Sequence, residues 1–103
     1  MYELKYTDES IQDIYSIFDY ISHTLNNKKY AFELLIKFEN ELKNILKFPY
    51  SINKYETNKK LENHYRRSKV KNFEIIYMID EKRKYIIVYR IVSKNYNIEN
   101  ILI

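Results

Sequence analysis

HYRRSKVKNFEIIYMID, residues 64–80, passes from a basic segment into a nearly unbroken apolar one, and its period decides the fold. Phe73, Ile75, Tyr77 and Ile79 alternate with Glu74, Ile76, Met78 and Asp80. Alternation with a period of two places the two sets on opposite faces of a strand. The same period extends on both sides and predicts three strands, roughly Asn63 to Val70, Phe73 to Asp80 and Tyr85 to Val92. Lys71-Asn72 and Glu81 to Lys84 supply the turns, with Asn72 expected to take the positive φ that glycine would otherwise provide.

Upstream the period is helical. Ile11, Ile14, Phe18, Ile21 and Leu25 recur at steps of three and four, as do Ala31, Leu34, Leu35, Phe38, Leu42, Ile45 and Leu46. Each set makes an apolar stripe along an amphipathic helix. Thr7 or Asp8 caps the first helix, Asn26-Asn27 ends it and caps the second, and Phe48-Pro49 stops the second. So short a break predicts an antiparallel helical hairpin. Tyr2 to Thr7 reads as a short opening strand, Tyr50 to Leu61 as a polar loop, and the tail NYNIENILI as a last strand or helical turn. The order βααβββ defines an α+β domain over residues 1–103, a helical hairpin packed on one face of a small antiparallel sheet. Both sheet faces carry apolar residues while two helices cover only one, so the other is expected to be a partner surface.

Composition narrows the chemistry. The chain of 103 residues contains no cysteine, no glycine and two histidines, His23 and His64. Disulfides, thiolate zinc sites, cysteine nucleophiles and glycine-rich phosphate loops are therefore excluded, and no cofactor or metal is expected. The N-terminus lacks the pattern of a signal peptide and no apolar run approaches the roughly 20 residues that span a bilayer, so a cytoplasmic protein with no membrane partner is expected. Residues 1–52 hold 6 Lys+Arg against 8 Asp+Glu, and residues 53–103 hold 12 against 6, giving −2 and +6. All four arginines (Arg66, Arg67, Arg83, Arg90) lie in the second half. This asymmetry fits an anionic partner, nucleic acid or an acidic protein segment, as well as a solvated lysine surface.

Several of these pieces, in this order, resemble the RelE/ParE superfamily of bacterial type II toxin-antitoxin toxins. They are IQDIYSIFDYI in the first helix, AFELLIKF and LKFP in the second, then YRRSKV, NFEIIYMID and YIIVYRIV in the strands. The resemblance covers nearly the whole chain. It implies a toxin neutralised by a cognate antitoxin whose acidic or amphipathic C-terminal segment wraps it, in a toxin-antitoxin hetero-oligomer. RelE-like members cleave messenger RNA in the ribosomal A site without a metal, whereas ParE-like members inhibit DNA gyrase and are not nucleases. The partners implied are thus the antitoxin together with the ribosome and mRNA, or DNA gyrase. Translation inhibition by mRNA cleavage is the first expectation, and gyrase inhibition or a degenerate antitoxin-binding member the alternative.

For an endoribonuclease the resemblance implies a catalytic set of His64, Arg67, Glu74 and Tyr96. His64 or Glu74 would transfer protons and Tyr96 would stack on a base. Arg66, Lys69, Lys71, Arg90 and Lys94 would bind RNA or a protein partner. The chain departs from the family pattern after the last strand, where SKNYN replaces a basic run. Lys94 keeps one charge, but Asn95 or Tyr96 stands where an arginine is expected, which removes a stabiliser of phosphate charge. The residues also have plainer readings. Glu74 can pair across strands with a basic neighbour. Arg90 shares a face with Ile86, Val88 and Val92, which requires that face to be open or Arg90 to meet a carboxylate such as Glu74 or Asp80. Tyr77 and Tyr89 are expected to pack on the core face.

Overall fold

A computed structural model describes residues 1–51 and 65–96. The elements are β1 (Glu3–Tyr6), α1 (Asp8–Asp19), a π-helical turn (Tyr20–Thr24), α2 (Lys28–Lys47), β2 (Tyr65–Val70), β3 (Phe73–Asp80) and β4 (Tyr85–Ser93). The expected start of the second strand at Asn63, most of the loop from Tyr50 to Leu61 and the tail beyond Tyr96 lie outside the described residues.

The hairpin forms as its caps dictate. Thr7 is extended and its Oγ1 accepts from the Ser10 N–H at 3.1 Å, while Asp8 and Glu9 place negative charge at the positive end of the helix. At the far end Leu25 N–H donates to Tyr20 O at 3.0 Å, five residues back, and widens the last turn. Asn26 takes φ 51°, a conformation asparagine tolerates, and Asn27 Oδ1 accepts from the Tyr30 N–H at 3.0 Å to open α2. The helices bury Ile21, Ala31, Leu34, Phe38, Leu42 and Ile45, with Ile14, Ile17 and Phe18 partly buried against them. The stripe of α1 differs from the periodic reading at both ends: Ile11 and Leu25 are 39% and 54% exposed. Ile17, outside the periodic set, is instead partly buried against the core.

The four-stranded sheet runs β1-β4-β3-β2. Pairs β2-β3 and β3-β4 are antiparallel as expected, but β1 lies parallel to β4, from Glu3 opposite Tyr85 to Tyr6 opposite Val88. The sheet is therefore mixed, not antiparallel: the hairpin between β1 and β2 is a crossover long enough to bring the chain back in either sense. In the β2-β3 turn Lys71, not Asn72, holds the positive φ of 55°, since the first residue of the turn takes the left-handed position. Phe73, Ile75, Tyr77 and Ile79 face the helices as the alternation predicts.

The expectation for β4 is corrected by a β-bulge. Tyr77 pairs with Val88 and Ile76 with Arg90, which leaves Tyr89 as the extra residue. The bulge reverses the alternation, so Ile86, Val88 and Ile91 face the helices, while Tyr89 leaves the core face and stacks at 5.0 Å on Tyr65 on the other side. The start of α1 holds this irregularity. Thr7 N–H donates to Val88 O at 3.1 Å and Thr7 Oγ1 donates to Tyr89 O at 2.6 Å. One turn on, Asp13 Oδ2 accepts from the Ile91 N–H at 2.9 Å and from Arg90 Nε at 2.7 Å, and Oδ1 accepts from Arg90 Nη2 at 2.9 Å. These contacts satisfy the edge of β4 beyond the end of β1.

The opposite rim is tied by Glu81. Tyr2 Oη donates to Glu81 Oε2 at 2.7 Å, Tyr50 Oη donates to the same oxygen, and Lys84 Nζ donates to Oε1. Those bonds, the one from Lys84 first, hold the Glu81 carboxyl down to about 2 and the bond to Glu81 pushes the Tyr50 hydroxyl up to about 12. A depressed carboxylate contributes stability above its ordinary value of 4.5, lost as the pH falls toward 2. Denaturation from pH 6 downward should therefore show an acid-side loss of stability that Glu81→Gln flattens; an unchanged pH profile in that variant would contradict the clasp.

Candidate functional site

The sheet face turned away from the helices collects most of the residues singled out in the sequence. The pairing register sets them in rows: Tyr65, Met78 and Ile87; Arg67, Ile76 and Arg90; Lys69, Glu74 and Val92. Neighbouring strands lie roughly 4.8 Å apart, so Arg67 and Arg90 are separated by roughly two strand spacings with Ile76 between them.

This face is not the open apolar surface the alternation suggests. Ile76 is fully buried and Tyr65 and Val92 nearly so, with Met78 and Tyr89 packed against them as a second, smaller core. Both arginines of the middle row are held by carboxylates. Arg67 Nε lies 3.3 Å from Glu74 Oε2, and Arg90 makes the two-pronged contact with Asp13. The partner of Arg90 is thus Asp13, not Glu74 or Asp80; Asp80 instead bonds Arg83 at 3.1 Å. Hydrogen bonding to Asp13 raises the Arg90 guanidinium above its ordinary value, so its charge is fixed. Glu74 is 4% exposed, and its Oε2 has no aligned donor although Arg67 is close. That oxygen is therefore held by the charge of Arg67 more than by a directed bond.

Arg66 is separated from Arg67 by the pleat. It sits opposite Tyr77 on the helix side, buried, with its guanidinium carbon 5.0 Å from the Tyr50 ring centroid. Its neighbours are structural: Tyr77 Oη donates to Pro49 O at 3.3 Å, and Ser68 Oγ donates to Glu41 of α2. Burial, opposed by the Arg66 charge, pushes the Tyr77 hydroxyl up to about 12, so it stays a donor. The two adjacent arginines thus have different surroundings.

Lys69, Lys71, Lys94 and Tyr96 are exposed. Lys94 N–H donates to Asn72 O at 2.8 Å, so the β2-β3 turn and the end of β4 form one rim carrying Lys71 and Lys94. The Tyr96 hydroxyl contributes to the electrostatic environment of Arg90. His64 lies outside the described residues. Asp13, Thr7 and Tyr89 complete the arrangement, although the sequence marked none of them as a site residue. Asp13 had one legible sign: a carboxylate flanking the apolar stripe of α1 that must face something cationic. The bulge at Tyr89 had none.

A separate apolar concavity of about 400 Å³ lies between β1 and the hairpin, lined by Leu4, Tyr6, Ile14, Leu35, Leu42 and Leu46. No described helix is long and apolar enough to cross a membrane.

Solved structures share this fold. A chain of the chromosomal ParDE toxin-antitoxin system from P. aeruginosa superposes with a TM-score of 0.71 at 17% identity, covering 90% of this chain and 96% of that one. A chain of the RelBE2 toxin-antitoxin complex from Mycobacterium tuberculosis gives 0.61 at 11% identity, covering 90% and 98%. The isolated E. coli RelE toxin gives 0.61 at 9% identity, covering 97% and 93%. The fold is thus that of the RelE/ParE toxins. No curated protein matches in sequence. Residues 4–102 match the family described as ParE toxin of type II toxin-antitoxin system, parDE, and the chain belongs to that family.

The Arg67 and Glu74 contact yields a test. Removing Arg67 leaves a buried carboxylate without its nearest cation, which costs about 3 kcal/mol, whereas Arg67→Ala combined with Glu74→Gln removes both charges and recovers part of that loss. Urea unfolding of Arg67→Ala, Glu74→Gln and the double variant should show this non-additivity; strictly additive losses would mean that the pair is not coupled.

Proposed function

We propose that this toxin acts by binding its target, as an inhibitor of DNA gyrase, and that a cognate antitoxin neutralises it. The observation that carries this reading is the middle row of the sheet face, where Arg67 and Arg90 are each engaged by a carboxylate. Ribosome-dependent cleavage of mRNA, the first expectation from the resemblance, needs cations positioned to take up charge on a crowded phosphate and a titratable group poised to move a proton. Here the two cations best placed on the sheet are already neutralised, Arg66 faces the other way, and SKNYN follows the strand in place of a basic run. The match to the ParE family points in the same direction.

The exposed rim of Lys69, Lys71 and Lys94 suits an acidic segment of the antitoxin, and the concavity between β1 and the hairpin suits the apolar side of an amphipathic one. Neither surface requires catalysis.

The test is to express the chain alone and with the small gene beside its own, and to follow gyrase supercoiling and transcript ends in parallel. The expected outcome is growth arrest relieved by co-expression, loss of supercoiling by the purified chain, and intact transcripts. Cuts within translated codons that disappear in Arg67→Lys would overturn the reading in favour of a ribonuclease. Unimpaired growth with tight antitoxin binding would indicate a member that retains only its partner.

A further inference from the structure

α2 has a second apolar seam besides the one that builds the core. Ala31, Leu34, Phe38, Leu42 and Ile45 are buried, yet Phe32 and Ile36 on the outer side are each 57% exposed. With Lys29, Glu39 and Lys43 they form a line with steps of 3, 4, 3 and 4, the spacing of a helix-helix seam. The seam is backed from within: Phe18 of α1 meets the Phe32 ring edge-on at 5.1 Å, and Tyr15, one turn earlier on α1, is 64% exposed. Large apolar side chains exposed at coiled-coil spacing on a 20-residue helix call for a helix against them.

The charges on the seam select which helix. We propose that the outer face of α2 is the interface of a two-fold homodimer, in which α2 packs antiparallel against α2 of a second copy. When Phe32 is set opposite Ile36 of the second copy, the same register brings Lys29 opposite Glu39. Symmetry doubles each contact, giving two apolar pairs and two ion pairs from one surface. The alternatives are penalised. A parallel pairing stacks Lys29 on Lys29 and Glu39 on Glu39, and an antiparallel pairing centred on Ile36 sets Lys29 against Lys43 and Glu33 against Glu39. Glu39 is free to exchange partners, since its bond to Lys43 is an exposed i,i+4 contact of 3.6 Å. The seam from Lys29 to Lys43 is about 21 Å long and buries less than the ~1,600 Å² of a standard interface, so the dimer is a modest, concentration-dependent one.

The experiment is light scattering and sedimentation of the purified full chain across a concentration series. The mass is expected to rise from 12.8 kDa toward twice that value. Lys29→Glu and Glu39→Lys alone should each weaken association about tenfold, and the two together should restore it, because the exchange recreates both pairs. Ile36→Glu should be monomeric throughout with an unchanged circular dichroism spectrum. A wild-type chain that stays at 12.8 kDa overturns the proposal, as does a double exchange that fails to restore association. If the wild type is monomeric and Ile36→Glu abolishes binding of an antitoxin segment, the seam belongs to a different protein and the proposal falls.

Discussion

One carboxylate, that of Asp13, joins three parts of the molecule. It lies one and a half turns into α1, yet it accepts the backbone N–H of Ile91 and both prongs of the Arg90 guanidinium. β1 ends at Tyr6, so among the described residues no strand lies beside the edge of β4 beyond Val88. Without a side-chain acceptor the Ile91 N–H would remain unpaired within a half-covered edge. Asp13 supplies that acceptor and neutralises the adjacent cation, while Thr7 takes up the carbonyl of Tyr89 at the same bulge. The N-terminal turns of α1 therefore replace the missing stretch of strand.

The consequences reach the functional face. The bulge turns Tyr89 away from the helices onto Tyr65 and restores Ile91 to the core, so one inserted residue divides β4 between two clusters. Arg90 is drawn to the helix edge and Arg67 to buried Glu74, which leaves the exposed positive charge on the lysines at the turn end of the sheet. A sheet face whose arginines serve its own structure is better suited to docking than to phosphoryl chemistry, and the proposed mode of action follows from that.

Much of the fold was legible because local rules governed it. The caps at Thr7 and Asn27, the stop at Phe48-Pro49 and the inward face of β3 follow from side-chain chemistry and period alone. Strand direction was not legible for β1, since four residues carry no sign of whether they run with or against β4. The bulge was equally silent: YIIVYRIVS is apolar or aromatic at nearly every position, so nothing marks Tyr89 as the extra residue. That single slip moved Tyr89 to the wrong face and hid the true partner of Arg90. At the candidate site the pairing of Glu74 with a basic neighbour could be anticipated from cross-strand chemistry, whereas the separation of Arg66 from Arg67 emerges only once the two sheet faces have different neighbours.

The claim that α1 completes the edge of β4 is tested most directly by hydrogen exchange at one amide. If the Asp13 carboxylate caps the Ile91 N–H, that amide should exchange as slowly as those of the central strand, at Ile75 and Tyr77, and Asp13→Ala should accelerate it selectively while Ile75 and Tyr77 stay protected. An Ile91 amide that exchanges as fast in the wild type as an uncapped edge amide, or that is unmoved by Asp13→Ala, would contradict the account.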